Sequence, residues 1–125
     1  MHSDKYQELL IQQRNFKKKL QVIIGQEIKA LRKSKGISGY ELGDIIRISQ
    51  QQISRYECGD SAIQIDTLIL ILRLFNISPE KFIHRILFLV NRDIESGKLL
   101  SIMSNHFHIY SDSNYLETFE QYKHN

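Results

Sequence analysis

The chain has 125 residues, 42% of them hydrophobic, with one proline, six glycines and a net charge of +3. That size and apolar content suit one domain with short extensions and exclude global disorder, and the shortage of breakers favours helices over a sandwich or barrel. A single cysteine, Cys58, excludes an internal disulfide and makes a reducing cytoplasm the expected compartment. No signal peptide is expected, and no apolar run approaches the ~18 residues that span a bilayer.

Charge is unevenly spread. Residues 14–35 hold eight cations (Arg14, Lys17, Lys18, Lys19, Lys29, Arg32, Lys33, Lys35) against Glu27 alone, a net +7. Residues 93–125 hold two cations against five carboxylates, a net −3. The first segment suits a polyanion and the second does not; a solvated basic helix face is the competing reading.

In chain order, residues 4–19 place Tyr6, Leu9, Leu10 and Phe16 roughly on one helical face. This stretch is either a separate helix or an extension of the next. From Leu20 to Lys35, Ile24, Ile28 and Leu31 recur at helical spacing, and Gly36 closes the helix. Ser38 opens a short helix with Glu41 three residues on, a capping box, and Leu42, Ile45 and Ile46 form its expected buried side. Ser49 and Gln52 repeat that box at the start of the next helix, with Ile53 and Tyr56 inward and Gly59 at its end. A fourth helix over about Gln64–Phe75 carries Leu68, Ile71, Leu72 and Phe75, and ends at Asn76. Ser78-Pro79 then starts a helix to about Asp93.

Residues 38–57 thus read as two capped helices joined by the tight turn Arg47-Ile48, which is what a helix-turn-helix requires. The spacing of residues 24 to about 83 resembles the Cro/C1-type (XRE-like) regulators. Ile24 through Ser38 is similar to the family's first helix and loop. Ser49-Gln50-Gln51-Gln52-Ile53-Ser54-Arg55-Tyr56-Glu57-Cys58-Gly59 is similar to its recognition helix. Thr67-Leu68 and Asn76-Ile77-Ser78 are similar to the fourth helix and its loop. The implied fold is all-α: a five-helix, lambda-repressor-like domain over 20–93, an N-terminal helical extension over 1–19 and a C-terminal tail over 94–125. Three positions depart from the pattern: Gly39 replaces a phosphate-contacting glutamine, Arg47 a turn glycine, and Ile63 a proline. Arg47 is therefore expected to need positive φ.

The resemblance implies double-stranded DNA as partner and places Gln50, Gln51 and Arg55 at base edges. Glutamine matches the N6/N7 edge of adenine, and arginine the O6/N7 edge of guanine. Arg55 suits a base or a phosphate, and Gln52 is divided between capping and reading. Phosphates are assigned to Ser38, the helix start at Gly39, Arg47, Ser49 and Ser54. Lys17, Lys18 and Lys19 either flank the duplex or solubilise their helix. The family also implies a structural ion pair between Arg32 and Glu57.

In the helix after Pro79, six apolar residues fill a stripe about 160° wide, with Phe88 outside it. Phe82, Ile86, Phe88 and Leu89 are the candidate dimerisation residues, unless the tail covers that surface within one chain. A dimer would set two recognition helices about one DNA turn apart. The tail is apolar, with a helix suggested by Tyr115, Leu116, Phe119 and Tyr122, and is a candidate dimer or protein-partner surface. His106 and His108 alternate, but no further ligand completes a metal site. No cofactor is expected and no enzyme signature is present.

The reading is a homodimeric, sequence-specific transcription regulator of the bacterial cytoplasm, associated with the nucleoid. Ser49 to Glu57 also resembles the recognition helix of fimbrial-operon regulators in enteric bacteria, which repress motility genes. The alternatives are an antitoxin that represses its own operon and a purely protein-binding helical module.

Overall fold

Capping chemistry sets where several of the helices begin and end. In the computed structural model, which describes residues 2–95, five helices follow in order: α1 (His2–Ser34), α2 (Gly39–Ile46), α3 (Gln50–Cys58), α4 (Ile65–Leu74) and α5 (Pro79–Glu95). No strand occurs among the described residues. The tail helix, the two alternating histidines and the proposed role of residues 96–125 lie outside them.

Ser38 begins α2 with the full reciprocal cap: its hydroxyl accepts from the Glu41 N–H at 3.0 Å, and its own N–H donates to the Glu41 carboxylate at 3.3 Å. Ser49 begins α3 by accepting from the Gln52 N–H at 3.1 Å. Ser78 does the same for α5, accepting from the Lys81 N–H at 3.3 Å, with Pro79 in the first helical position.

The stops share one device. Gly36, Gly59 and Asn76 follow α1, α3 and α4 in the left-handed conformation. The next N–H then reaches a carbonyl five residues back: Ile37 to Arg32 at 3.3 Å, Asp60 to Arg55 at 2.9 Å, Ile77 to Leu72 at 2.8 Å. This satisfies carbonyls that would otherwise lack partners. Arg47 ends α2 the same way, at φ 64° and ψ 43°, with the Ile48 N–H bonded to the Gly43 carbonyl at 2.8 Å.

The extension is not a separate helix. α1 runs 33 residues without a break, about 50 Å at the usual rise per residue, and passes straight through positions 19 and 20.

The chain divides into two units, Met1–Phe82 and Ile83–Asn125. The first is built around Ile23, Ile28, Leu42, Ile46, Ile53, Leu68, Ile71, Leu72, Phe75 and Phe82, all buried. α3 packs against both α1 and α2. On α2 the sequence pattern misplaces one residue. Leu42, Gly43 and Ile46 are the buried side, and Ile45 is 52% exposed. The inward arc is centred between positions 42 and 43 because the Ile48 carbonyl closes onto Gly43, which turns Ile45 out.

In the second unit, the described part of α5 buries Ile86 and Val90 and leaves Phe88 58% exposed. With Phe82 and Ile86 at 4% and 2% exposure, these two have little surface to offer a second chain; of the four dimerisation candidates only Phe88 is largely open, and Leu89 is half-buried.

Candidate nucleic-acid interface

The outward face of α3 carries Gln50, Gln51, Ser54 and Arg55, all exposed, while Ile53 and Glu57 are buried on the opposite side. A helix presenting two amides, a hydroxyl and a guanidinium on one face can both donate to and accept from base edges. Gln52 is half-buried. Ser49 supplies the cap through its own hydroxyl alone, so the reciprocal arm expected of Gln52 does not form as it does at Glu41.

Three contacts from α1 hold this face in place, at positions 18, 25 and 32, two full turns apart each time. Arg32 grips Glu57 with both arms of its guanidinium: Nε to Oε2 at 2.6 Å and Nη2 to Oε1 at 2.9 Å. Its third donor reaches the Ile37 carbonyl at 2.7 Å, which closes the turn after α1 onto the same residue. The two side chains are 12% and 6% exposed, so the pair is largely removed from water. The hydrogen bond to Glu57, opposed by burial and aided by the carboxylate's charge, raises the Arg32 pKa above its ordinary value.

Gly25 makes the second contact. A Cβ there would run into the Tyr56 carbonyl and crowd that of Glu57. The missing side chain lets the α1 and α3 backbones meet. At the third contact Lys18 donates to the Gly59 carbonyl at 2.6 Å and stands 3.9 Å from Asp60. A cation at the carbonyl end of a helix is favoured by the helix dipole. Of the three consecutive lysines, this one is tied to the end of α3.

The turn between α2 and α3 borders an open hollow of about 370 Å³, lined among others by Tyr40, Asp44, Arg47, Ser49 and Gln50. Tyr40 is 67% exposed beside Gln50, a neighbour that sequence reasoning missed. Asp44 was missed as well; it sets a carboxylate beside Arg47 in a region otherwise suited to anions. Nothing in the local pattern marks either residue, because their proximity to Gln50 depends on how the turn folds back. Gly39 opens α2 at the other side of Gln50. A Cβ there would meet only Ile53 and Gln50 side-chain carbons at 3.8 and 3.9 Å, ordinary contact distances. Ser38, Arg47 and Ser49 are exposed around the same edge.

These features place a short capped helix, a non-glycine left-handed turn and an exposed polar helix in series. A helix-turn-helix family model matches residues 28–82. These residues carry a helix-turn-helix similar to that family's. The match begins within α1 and ends at Phe82, where the first unit ends.

Curated relatives are similar to part of the chain. Antitoxin PezA of Streptococcus pneumoniae is 38% identical over 56 residues, 45% of this chain and 35% of that protein. An uncharacterized HTH-type transcriptional regulator of Rickettsia prowazekii is 38% identical over 53 residues, 42% of this chain and 41% of its own. Another from Rickettsia conorii is 36% identical over 53 residues, 42% of each. The chain therefore spans well under half the length of these relatives. No solved structure matches.

Among the described residues no cluster of histidine, cysteine or carboxylate side chains has the makings of a metal site, and no helix is long and apolar enough to cross a membrane.

Proposed function

We propose that this chain is a non-enzymatic, sequence-specific regulator of transcription that binds double-stranded DNA in the cytoplasm as a homodimer on a pseudo-palindromic operator. The observation that carries it is the outward face of α3, where Gln50, Gln51, Ser54 and Arg55 are exposed while Glu57 is clasped from behind by Arg32. In this reading Gln50, Gln51 and Arg55 take base edges in the major groove, with Gln52 at the margin. The amides at the start of α2 near Ser38 and Gly39, together with Arg47, Ser49 and Ser54, take phosphates. The likeness of Ser49–Glu57 to fimbrial-operon regulators supports a narrower role as a fimbria-linked repressor of motility genes.

Selection from random duplexes tests the reading, with the Gln50→Ala/Gln51→Ala variant as control. Wild type should enrich a two-fold symmetric motif, and the variant should lose it. Each lost adenine contact costs about 1–3 kcal/mol of discrimination. Equal enrichment by both proteins refutes the base-reading assignment, and an asymmetric motif refutes the palindromic dimer.

A second reading, an antitoxin that represses its own operon and uses a surface outside the helix-turn-helix to bind a toxin, is favoured by the similarity to antitoxin PezA. It predicts that a toxin encoded beside this chain is neutralised equally well by the Gln50→Ala/Gln51→Ala variant.

A further inference from the structure

The outward stripe of α1 repeats at alternating steps of four and three: Tyr6, Leu10, Gln13, Lys17, Leu20, Ile24. All six fall within about 80° of one another at 100° per residue, the narrow seam of a two-helix coiled coil. Tyr6 is 61% and Leu10 37% exposed, and Gln13 and Lys17 are exposed between them and the half-buried Leu20 and Ile24. The two ends of the stripe have different surroundings. Beside Leu20 and Ile24, Tyr56 and Ile63 wall an apolar hollow of about 210 Å³. Tyr6 and Leu10 stand on exposed helix.

We propose that a second copy of this chain docks on this stripe with the two α1 helices antiparallel, residue i of one copy opposite residue 30 − i of the other. The stripe reads the same in both directions at this register. Tyr6 meets Ile24, Leu10 meets Leu20, and Gln13 meets Lys17, so apolar layers pair with apolar layers and the amide with the ammonium. The exposed Tyr6–Leu10 end of each copy enters the walled hollow of the other, over a shared length of about 28 Å. A parallel pairing would stack Lys17 on Lys17 and set both walled ends side by side. Two polar layers, one on each side of the two-fold axis, sit inside the apolar seam and fix register at a cost in stability. Each surface is used twice, as a two-fold interface requires. The proposal deepens the homodimer reading above and supplies its interface.

The charge at the centre gives the test a distinctive sign. Two Lys17 ammoniums and two Arg14 guanidiniums gather near the two-fold axis, so added salt strengthens this dimer by screening them, whereas it weakens a protein–DNA complex. Sedimentation equilibrium of the full chain without DNA should show a dimer whose association constant rises with salt. Leu10→Glu should weaken it by about a hundredfold, because the change enters both copies of the contact, with the helical circular dichroism unchanged. In a Cys58→Ser background, a mixture of Leu10→Cys and Leu20→Cys chains should form disulfide-linked dimers about tenfold more readily than either alone. Like positions lie about 15 Å apart along the axis, beyond disulfide reach. A monomer at all concentrations, a dimer indifferent to Leu10→Glu, or equal cross-linking in all three samples overturns the proposal. Because these measurements need no duplex, a failed interface and a failed DNA reading give separate results.

Discussion

Arg32 and Arg47 show two opposite uses of one residue type. Arg32 spends its donors inside the protein, on Glu57 and the Ile37 carbonyl, and its side chain is 12% exposed. Removing one partner strands the other, so Arg32→Met or Glu57→Gln should lower the unfolding free energy by about 3–5 kcal/mol in denaturant titrations. The double change Arg32→Met/Glu57→Leu should recover a large part of that loss, since neither charge is then left unpaired. A raised arginine pKa stabilises fully below the ordinary guanidinium range and is lost only as pH climbs through the higher folded value. Arg32's share should therefore stay flat across neutral pH. Arg47, in contrast, is exposed and holds φ 64°, a conformation that costs a non-glycine residue ~1–2 kcal/mol. Arg47→Gly should raise the melting temperature, offset in part by the greater entropy of glycine in the unfolded chain. If Arg47 grips a phosphate as proposed, the same change weakens DNA binding. A variant that is more stable and binds unchanged would place Arg47 outside the interface.

At the scale of the helix, α3 is positioned by what lies behind it. α1 presents Lys18, Gly25 and Arg32 along one stripe, and each meets the C-terminal half of α3 or the residues just after it. Gly25 would ordinarily weaken a helix interior by about 1 kcal/mol relative to alanine. Here it is the point of closest approach, so the usual preference reverses. Gly25→Ala should destabilise the fold by about 1–3 kcal/mol through overpacking, measured by chemical denaturation. Gly39→Ala should do the reverse, because a methyl there meets only ordinary contacts and the substitution removes unfolded-state freedom. A gain of about 0.4–1 kcal/mol is expected. Two glycines in helices of one domain thus respond with opposite sign, and only the neighbour across the gap distinguishes them.

For the whole molecule, the basic stretch of residues 14–35 is less uniform than its charge suggests. Lys18 is spent on Gly59 and Asp60, and Arg32 on Glu57, so both act within the fold. The affinity for duplex should still fall linearly on logarithmic axes as salt rises, by about 0.9 per phosphate neutralised. Lys33→Ala should reduce that slope by about one if Lys33 meets a phosphate, whereas Lys18→Ala should leave it unchanged and lower stability. Fluorescence anisotropy with a labelled duplex across a salt series reads both.

Helix starts and stops were legible in the sequence because caps act over about four residues of chain. Ser38, Ser49 and Ser78 start helices, and Gly36, Gly59 and Asn76 end them, where the residue types called for it. The requirement for positive φ at Arg47 was legible for the same reason. The matched helix-turn-helix region was legible too, since its spacing is a property of the chain alone. What tertiary structure decided was every feature that depends on two distant segments meeting. The continuity of α1 was open because apolar spacing near residues 4–19 fits either one helix or two. The exposure of Ile45, the burial of Phe82, and the closeness of Tyr40 and Asp44 to Gln50 all follow from how backbones approach. So does the line of Lys18, Gly25 and Arg32 behind α3, where a short lysine contact, an absent methyl and a buried ion pair share one task. Residue type reveals where a helix can begin; only the neighbour's position reveals which of its side chains are left to face a duplex.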